Sequence, residues 1–109
     1  MPVMSNVIEL TADTFDEQAA QPGLTVIDFW APWCGPCRAM APQYEKAAGL
    51  RPQYTFAKVN VDENPELAGA FGVQAIPTLA ILKDGQVLGT APGVVGSDQL
   101  VGALDQLAA

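Results

Sequence analysis

Histidine is absent from this chain of 109 residues, and its only two cysteines are Cys34 and Cys37. Without an imidazole there is no Ser-His-Asp triad, no cysteine–histidine protease pair and no histidine-ligated zinc site. Two thiols are too few for an iron–sulfur cluster or a four-cysteine zinc site within one chain, so no metal is expected. Basic residues are scarce as well: Arg38, Lys46, Arg51, Lys58 and Lys83 stand against twelve acids, a formal charge of −7. They are scattered and form no stripe that could neutralise successive phosphates, so nucleic acid is not an expected partner. No apolar run approaches the roughly 20 residues of a membrane span, and no membrane association is expected. The start, Met1-Pro2-Val3-Met4-Ser5-Asn6, lacks the basic and apolar regions of a secretory signal, which makes the cytoplasm the expected location.

What is present is a folding composition. Half the residues are apolar and 16% are charged, which suits one globular domain over residues 1–109. Val7-Ile8-Glu9-Leu10 reads as a first strand, followed by a short acid-rich helix over 14–20 with Thr11 or Asp13 as caps. Leu24-Thr25-Val26-Ile27-Asp28-Phe29-Trp30 is nearly continuous and β-branched, the pattern of a central strand covered on both faces. A helix over about 34–48 follows, with Cys37, Met40, Ala41, Tyr44 and Ala48 inward and Pro42 in its interior. Residues 54–61 alternate as a strand, and a short helix near 66–71 closes at Gly72. Lys83-Asp84-Gly85 between two apolar runs is a hairpin signal. Ser97 is placed to cap a last helix with Leu100, Val101, Leu104, Leu107 and Ala108 inward. Helices between strands imply parallel pairing in mid-sheet, and the closing hairpin adds an antiparallel edge.

The chemistry concentrates in Trp33-Cys34-Gly35-Pro36-Cys37, which follows the central strand and opens a helix. Two cysteines three positions apart on a first helical turn can close a disulfide with little backbone movement. The helix N-terminus supplies partial positive charge and free N–H groups, which favour a thiolate and draw a thiol pKa down from about 8.5. Cys34 at the helix mouth is the candidate nucleophile, exposed to a substrate, and Cys37 one turn further in is the candidate resolving thiol. A structural disulfide is the rival reading, but so small a loop removes little chain entropy. Asp28 is an acid inside an apolar strand, where an unpaired charge is expensive. It is either a structural acid paired with Lys58 or a group of raised pKa that serves the thiols.

Asp28-Phe29-Trp30-Ala31-Pro32-Trp33-Cys34-Gly35-Pro36-Cys37 resembles the active-site segment of thioredoxins. The similarity continues through Pro42, residues 58–62, Gly72-Val73-Gln74-Ala75-Ile76-Pro77-Thr78, Asp84-Gly85 and Gly93, with matching spacing over nearly the whole chain. The resemblance implies an α/β fold, a thioredoxin-like three-layer sandwich with a five-stranded mixed sheet and about four helices. It implies a dithiol/disulfide cycle of Cys34 and Cys37 that reduces protein disulfides, with Asp28 assisting deprotonation of Cys37 and Lys58 and Trp30 in support. It further implies a cis bond before Pro77, and a docking rim of Trp33, Gly35, Pro36, Ala75, Ile76, Pro77, Gly93 and Val94. No bound cofactor is implied. Electrons would come from NADPH through a separate thioredoxin reductase, and the partners would be that reductase and disulfide-containing proteins, met by a monomer. Arg38 and Pro92 depart from familiar members and bear on partner preference. Two other functions stay open from the residues alone: a disulfide oxidase or isomerase, and an accessory binding module that uses the fold without its chemistry.

Overall fold

The computed structural model describes residues 5–109. Residues 1–4, part of the stretch read above for a signal, lie outside the described residues. In chain order the elements are β1 (Val7–Glu9), α1 (Phe15–Ala19), β2 (Leu24–Trp30), α2 (Gly35–Leu50), β3 (Thr55–Asn60), α3 (Pro65–Ala70), β4 (Thr78–Lys83), β5 (Gln86–Pro92) and α4 (Ser97–Ala108). The strands form one five-stranded sheet in the order β1-β3-β2-β4-β5. β1, β3 and β2 run parallel, whereas β4 is antiparallel to both β2 and β5. Antiparallel pairing thus begins at β2–β4, one strand further in than a hairpin edge alone would give. The reason is the length of α3. Its six residues span only about 9 Å, too short to carry the chain back along β3. β4 therefore starts at the end where β2 finishes, with Thr78 opposite Phe29.

β2 is buried along its length except for the half-buried Trp30, so its alternating side chains feed two cores. Val26 joins Met40, Tyr44, Phe56, Leu79, Leu100 and Leu104 beneath α2 and α4. Ile27 and Phe29 join Ala57, Val59, Ala80 and Leu82 on the other face, closed by Leu67 of α3 and Phe15 of α1. Asp28 points to the same side of β2 as Val26, which places it under α2. Of the inward positions expected on α2, Ala41 is exposed and Ala47 is buried in its place. On α4, Leu107 and Ala108 are exposed because that helix runs past the buried stretch ending at Leu104. Ser97 is the first helical residue and not the cap. Gly96 holds the cap position, and the Ser97 N–H donates to Gln43 Oε1 at 3.0 Å. Thr14, not Thr11 or Asp13, caps α1, without a side-chain hydrogen bond to it.

Tyr44 fastens α2 to the sheet. Its hydroxyl lies 3.0 Å from Val26 O on β2 and 2.7 Å from Ala57 O on β3. One proton serves both acceptors, in a site that leaves the ring 3% exposed. Tyr44→Phe removes the bond to two buried sheet carbonyls while keeping the ring, and should destabilise the fold by about 1–2 kcal/mol in denaturant titration.

No helix among the described residues is long and apolar enough to cross a membrane. No cluster of three or more His, Cys, Asp or Glu placed to hold a metal ion occurs among them.

Candidate functional site

β2, the central strand, delivers the chain to one end of the sheet, and α2 begins at Gly35 with Pro36 in its first turn, where a missing N–H does no harm. Cys34 itself is the N-cap of α2, with extended backbone (φ −84°, ψ 111°). Its Sγ accepts the Cys37 N–H at 3.2 Å, so the capping atom of this helix is the sulfur. Cys34 and Cys37 are joined as a disulfide across a Cα–Cα distance of 5.3 Å. On reduction the same N–H and the helix dipole stabilise negative charge on Cys34. No equivalent donor to Cys37 Sγ is found among the described residues, and Cys37 sits a turn inside the helix, beside the cavity that Asp28 lines.

The loop before β4 faces the pair. The Ile76–Pro77 bond is cis, and Ile76 O lies 3.8 Å from Cys34 Sγ. Neither the N–H nor the C=O of Ile76 enters a backbone hydrogen bond among the described residues. Pro77 O, in contrast, accepts the Gly93 N–H at 2.9 Å. Gly93 has φ 105°, a backbone that L side chains avoid, and that bond ties β5's end to the proline loop. Of the expected rim, Trp33, Ala75 and Ile76 line one hollow beside the pair, and Gly93 is bonded to Pro77. Trp33 is 68% and Val94 55% exposed, and Gly35, Pro36, Ala75 and Gly93 are exposed too. Ile76 is half-buried and Pro77 buried. The expectation of an exposed Cys34 is corrected: it is 4% exposed against 2% for Cys37. Ala31, Trp30 and Ile76 pack around the pair, so helix-end chemistry separates the two sulfurs more than access does.

Behind the pair, Asp28, Trp30, Cys37 and Lys58 line a cavity of about 90 Å³. Asp28 is 5% exposed and its Oδ1 has no hydrogen-bond partner. Loss of hydration raises its pKa from 3.8 to about 7, against a smaller downward pull from Lys58. Asp28 and Lys58 are register neighbours across β2 and β3. They nevertheless form no ion pair. The ion pair found among the described residues is Arg51–Asp105, between the ends of α2 and α4. Lys58 Nζ lies 5.0 Å from the centroid of the Trp30 ring, so the cation is shared with an aromatic face. The reading of Asp28 as a paired structural acid is thereby corrected.

One site residue escaped the sequence. Trp33 Nε1 donates to Asp62 Oδ2 at 2.8 Å, and Asp62 is set by a turn in which its N–H donates to Asn60 Oδ1 at 2.9 Å. The Asn-x-Asp spacing after β3 signals such a turn, but nothing in it names a tryptophan 29 positions earlier as the partner.

A redox disulfide capping a helix, fed by a central strand and faced by an unpaired backbone segment, defines a thiol–disulfide oxidoreductase of α/β three-layer architecture. The family model described as thioredoxin matches residues 6–106, and the chain belongs to the thioredoxin family. It is 43% identical over 105 residues to thioredoxin 1 of Synechococcus elongatus, covering 94% of this chain and 98% of that protein. Identity to the thioredoxin of Listeria monocytogenes is 46% over 95 residues, covering 86% and 91%. Putative thioredoxin 2 of Streptomyces coelicolor is 41% identical over 103 residues, covering 94% and 77%. Among solved structures, one on the thiol resolving mechanism in yeast mitochondrial 1-Cys peroxiredoxin via glutathione/thioredoxin systems contains a similar chain. It has a TM-score of 0.84 and 34% identity, covering 94% of this chain and 99% of that one. The protein is thus a protein-disulfide reductase working through Cys34 and Cys37.

Proposed function

We propose that Cys34 is the attacking sulfur, Cys37 the resolving one and Asp28 the base that serves Cys37. The observation that carries this reading is the Cys37 N–H held 3.2 Å from Cys34 Sγ at the start of α2. In the reduced protein the Cys34 thiolate attacks one sulfur of a substrate disulfide. A Cys34–substrate bond forms, the substrate S–S bond breaks, and the first substrate thiolate leaves. Cys37 then gives its proton to Asp28 and attacks Cys34 Sγ. The Cys34–Cys37 bond forms and the second substrate thiolate leaves, taking up a proton. Two electrons have passed from the dithiol to the substrate.

The N–H and C=O of Ile76, which enter no backbone hydrogen bond, suit an extended substrate strand, bound through its main chain and hence tolerant of sequence. Trp33, Gly35, Pro36, Ala75, Pro77, Gly93 and Val94 surround that strand, with Lys58 and Trp30 beneath the site. Recharging draws two electrons from NADPH through a separate thioredoxin reductase, in the cytoplasm, with the protein acting as a monomer. Insulin precipitation on reduction of its disulfides tests the reading. It should require the reductase and NADPH together or a chemical dithiol in their stead. Equal activity without any electron source, or none with all of them, overturns it.

A further inference from the structure

The sheet face opposite α2 is left open beside β5, because α1 and α3 are only five and six residues long. A groove of about 610 Å³ lies there, between Phe15 and Phe71 on one side and Val87 and Thr90 on the other, with Leu82 at its floor. Two β5 residues three apart would ordinarily face opposite ways. The register shift between Ile81 and Leu82 puts Val87 opposite Leu82 and Thr90 opposite Ala80, so both line this face. Leu88, the extra residue, faces Ile81 and Leu107 on the other side.

Two acids, Asp16 and Asp84, stand along the groove, and no lysine or arginine lines it. Asp84 is set in place by the Gly23 N–H, which donates to its Oδ1 at 2.7 Å. From Thr90 a second groove of about 280 Å³ continues past Thr78 and Pro92 to Gln74 and Ala75. Ala75 adjoins Ile76, so the two grooves make one trench from the redox mouth to the β4–β5 hairpin.

We propose that this trench receives an extended segment of the disulfide-bearing partner, apolar along its middle and carrying a lysine or arginine that reaches Asp16 and Asp84. The proposal rests on the docking mode described above. Its charge follows from the lining: two carboxylates beside aromatic and aliphatic walls accept an aliphatic stem with a cationic head. A second copy of this chain fits poorly, since each copy carries −7. β5 rises about 3.3 Å per residue, so a strand laid along the path from Pro92 to Val87 places the cation about five residues from the partner's reactive cysteine.

The test uses short peptides whose single cysteine is disulfide-bonded to thionitrobenzoate. Attack by the reduced protein transfers the peptide sulfur to Cys34 and releases the coloured thiolate. One peptide carries only the cysteine and its neighbours. The others extend it by an apolar spacer ending in Arg or in Glu, placed before or after the cysteine. Arg on one side only should raise the second-order rate constant about five-fold over Glu at low ionic strength, the scale of two exposed ion pairs. That advantage should vanish in high salt and in the Asp16→Asn/Asp84→Asn variant. Asparagine keeps the Oδ1 acceptor and tolerates the φ of 52° at position 84. An equal gain from Arg on both sides, or a gain that survives the double substitution, overturns the trench and leaves only general attraction. If the short peptide fails to react, the assignment of Cys34 itself is overturned.

Discussion

Replacing Cys34 by serine is expected to abolish disulfide reduction, whereas Cys37→Ser should attack once and stall as a covalent mixed disulfide. The two sulfurs differ in what surrounds them. Cys34 Sγ is the cap of α2 and receives the Cys37 N–H, so its thiolate is the one the helix stabilises. A serine hydroxyl at position 34 stays protonated at neutral pH even with that help. Turnover should fall by on the order of a thousand-fold or more. With Cys37→Ser, Cys34 retains its N–H donor and its place beside Ile76 O. It still opens the substrate disulfide, but no thiolate follows to release it. A non-reducing gel should therefore show a substrate adduct that disappears with added dithiol. Because the two residues are similarly buried, at 4% and 2% exposure, a reversed result would not be explained by a gross difference in burial. An adduct on Cys34→Ser, or normal turnover by Cys37→Ser, reverses the assignment.

The redox pair and the strand that feeds it are legible in the sequence because their signals are local. A C-x-x-C pair on a helix start needs only its own segment to bring the sulfurs together, and a continuous β-branched run before it needs only burial to become a central strand. Asp28 was conspicuous for the same reason, as a charge inside an apolar run. Long-range contacts were not visible. The Trp33–Asp62 hydrogen bond depends on how β3's end lies against the α2 start, which no spacing encodes. Tyr44 read correctly as inward, yet its hydroxyl's two acceptors lie on different strands and emerge only from their pairing. The supposed Asp28–Lys58 ion pair failed on side-chain geometry: correct backbone register does not bring the charges together when an indole face lies near the ammonium. The inward face was carried a turn too far at the end of α4, where periodicity continues after the packing surface stops. The bulge that turns Val87 and Thr90 to one face has no mark in residues 86–90 beyond Gly89.

Removing the Asp28 carboxylate should make the protein more stable at alkaline pH and slower at neutral pH. Burial holds this acid at a pKa of about 7 against 3.8 for a free side chain. The neutral form is accepted in the core and the charged form is resisted. Below the unfolded value both states are protonated and the carboxyl carries no electrostatic penalty. As pH rises past it, the unfolded chain ionises first and unfolding gains. The penalty grows until the folded carboxyl also ionises near 7, and then levels off. Its ceiling is roughly 4 kcal/mol, at about 1.4 kcal/mol per pH unit. Lys58 offsets part of it but forms no ion pair, so it does not cancel the rest. Asp28→Asn keeps the shape and leaves a buried amide to satisfy, which reduces the net gain to about 1–3 kcal/mol above pH 8. Near pH 4, where the folded carboxyl is neutral, only the amide cost remains, and the substitution should be neutral to destabilising by about 1–3 kcal/mol. The same substitution takes away the proton acceptor beside Cys37. Release of the mixed disulfide should then slow by on the order of a hundred-fold at pH 7, the scale of lost general-base catalysis. It should recover in alkaline solution, where a thiol ionises without help from a base. Denaturant unfolding at pH 4 and pH 9, with single-turnover release followed from pH 6 to 9, separates the two effects. A pH-independent change in stability would point to packing alone, and wild-type release rates throughout would remove Asp28 from the reaction.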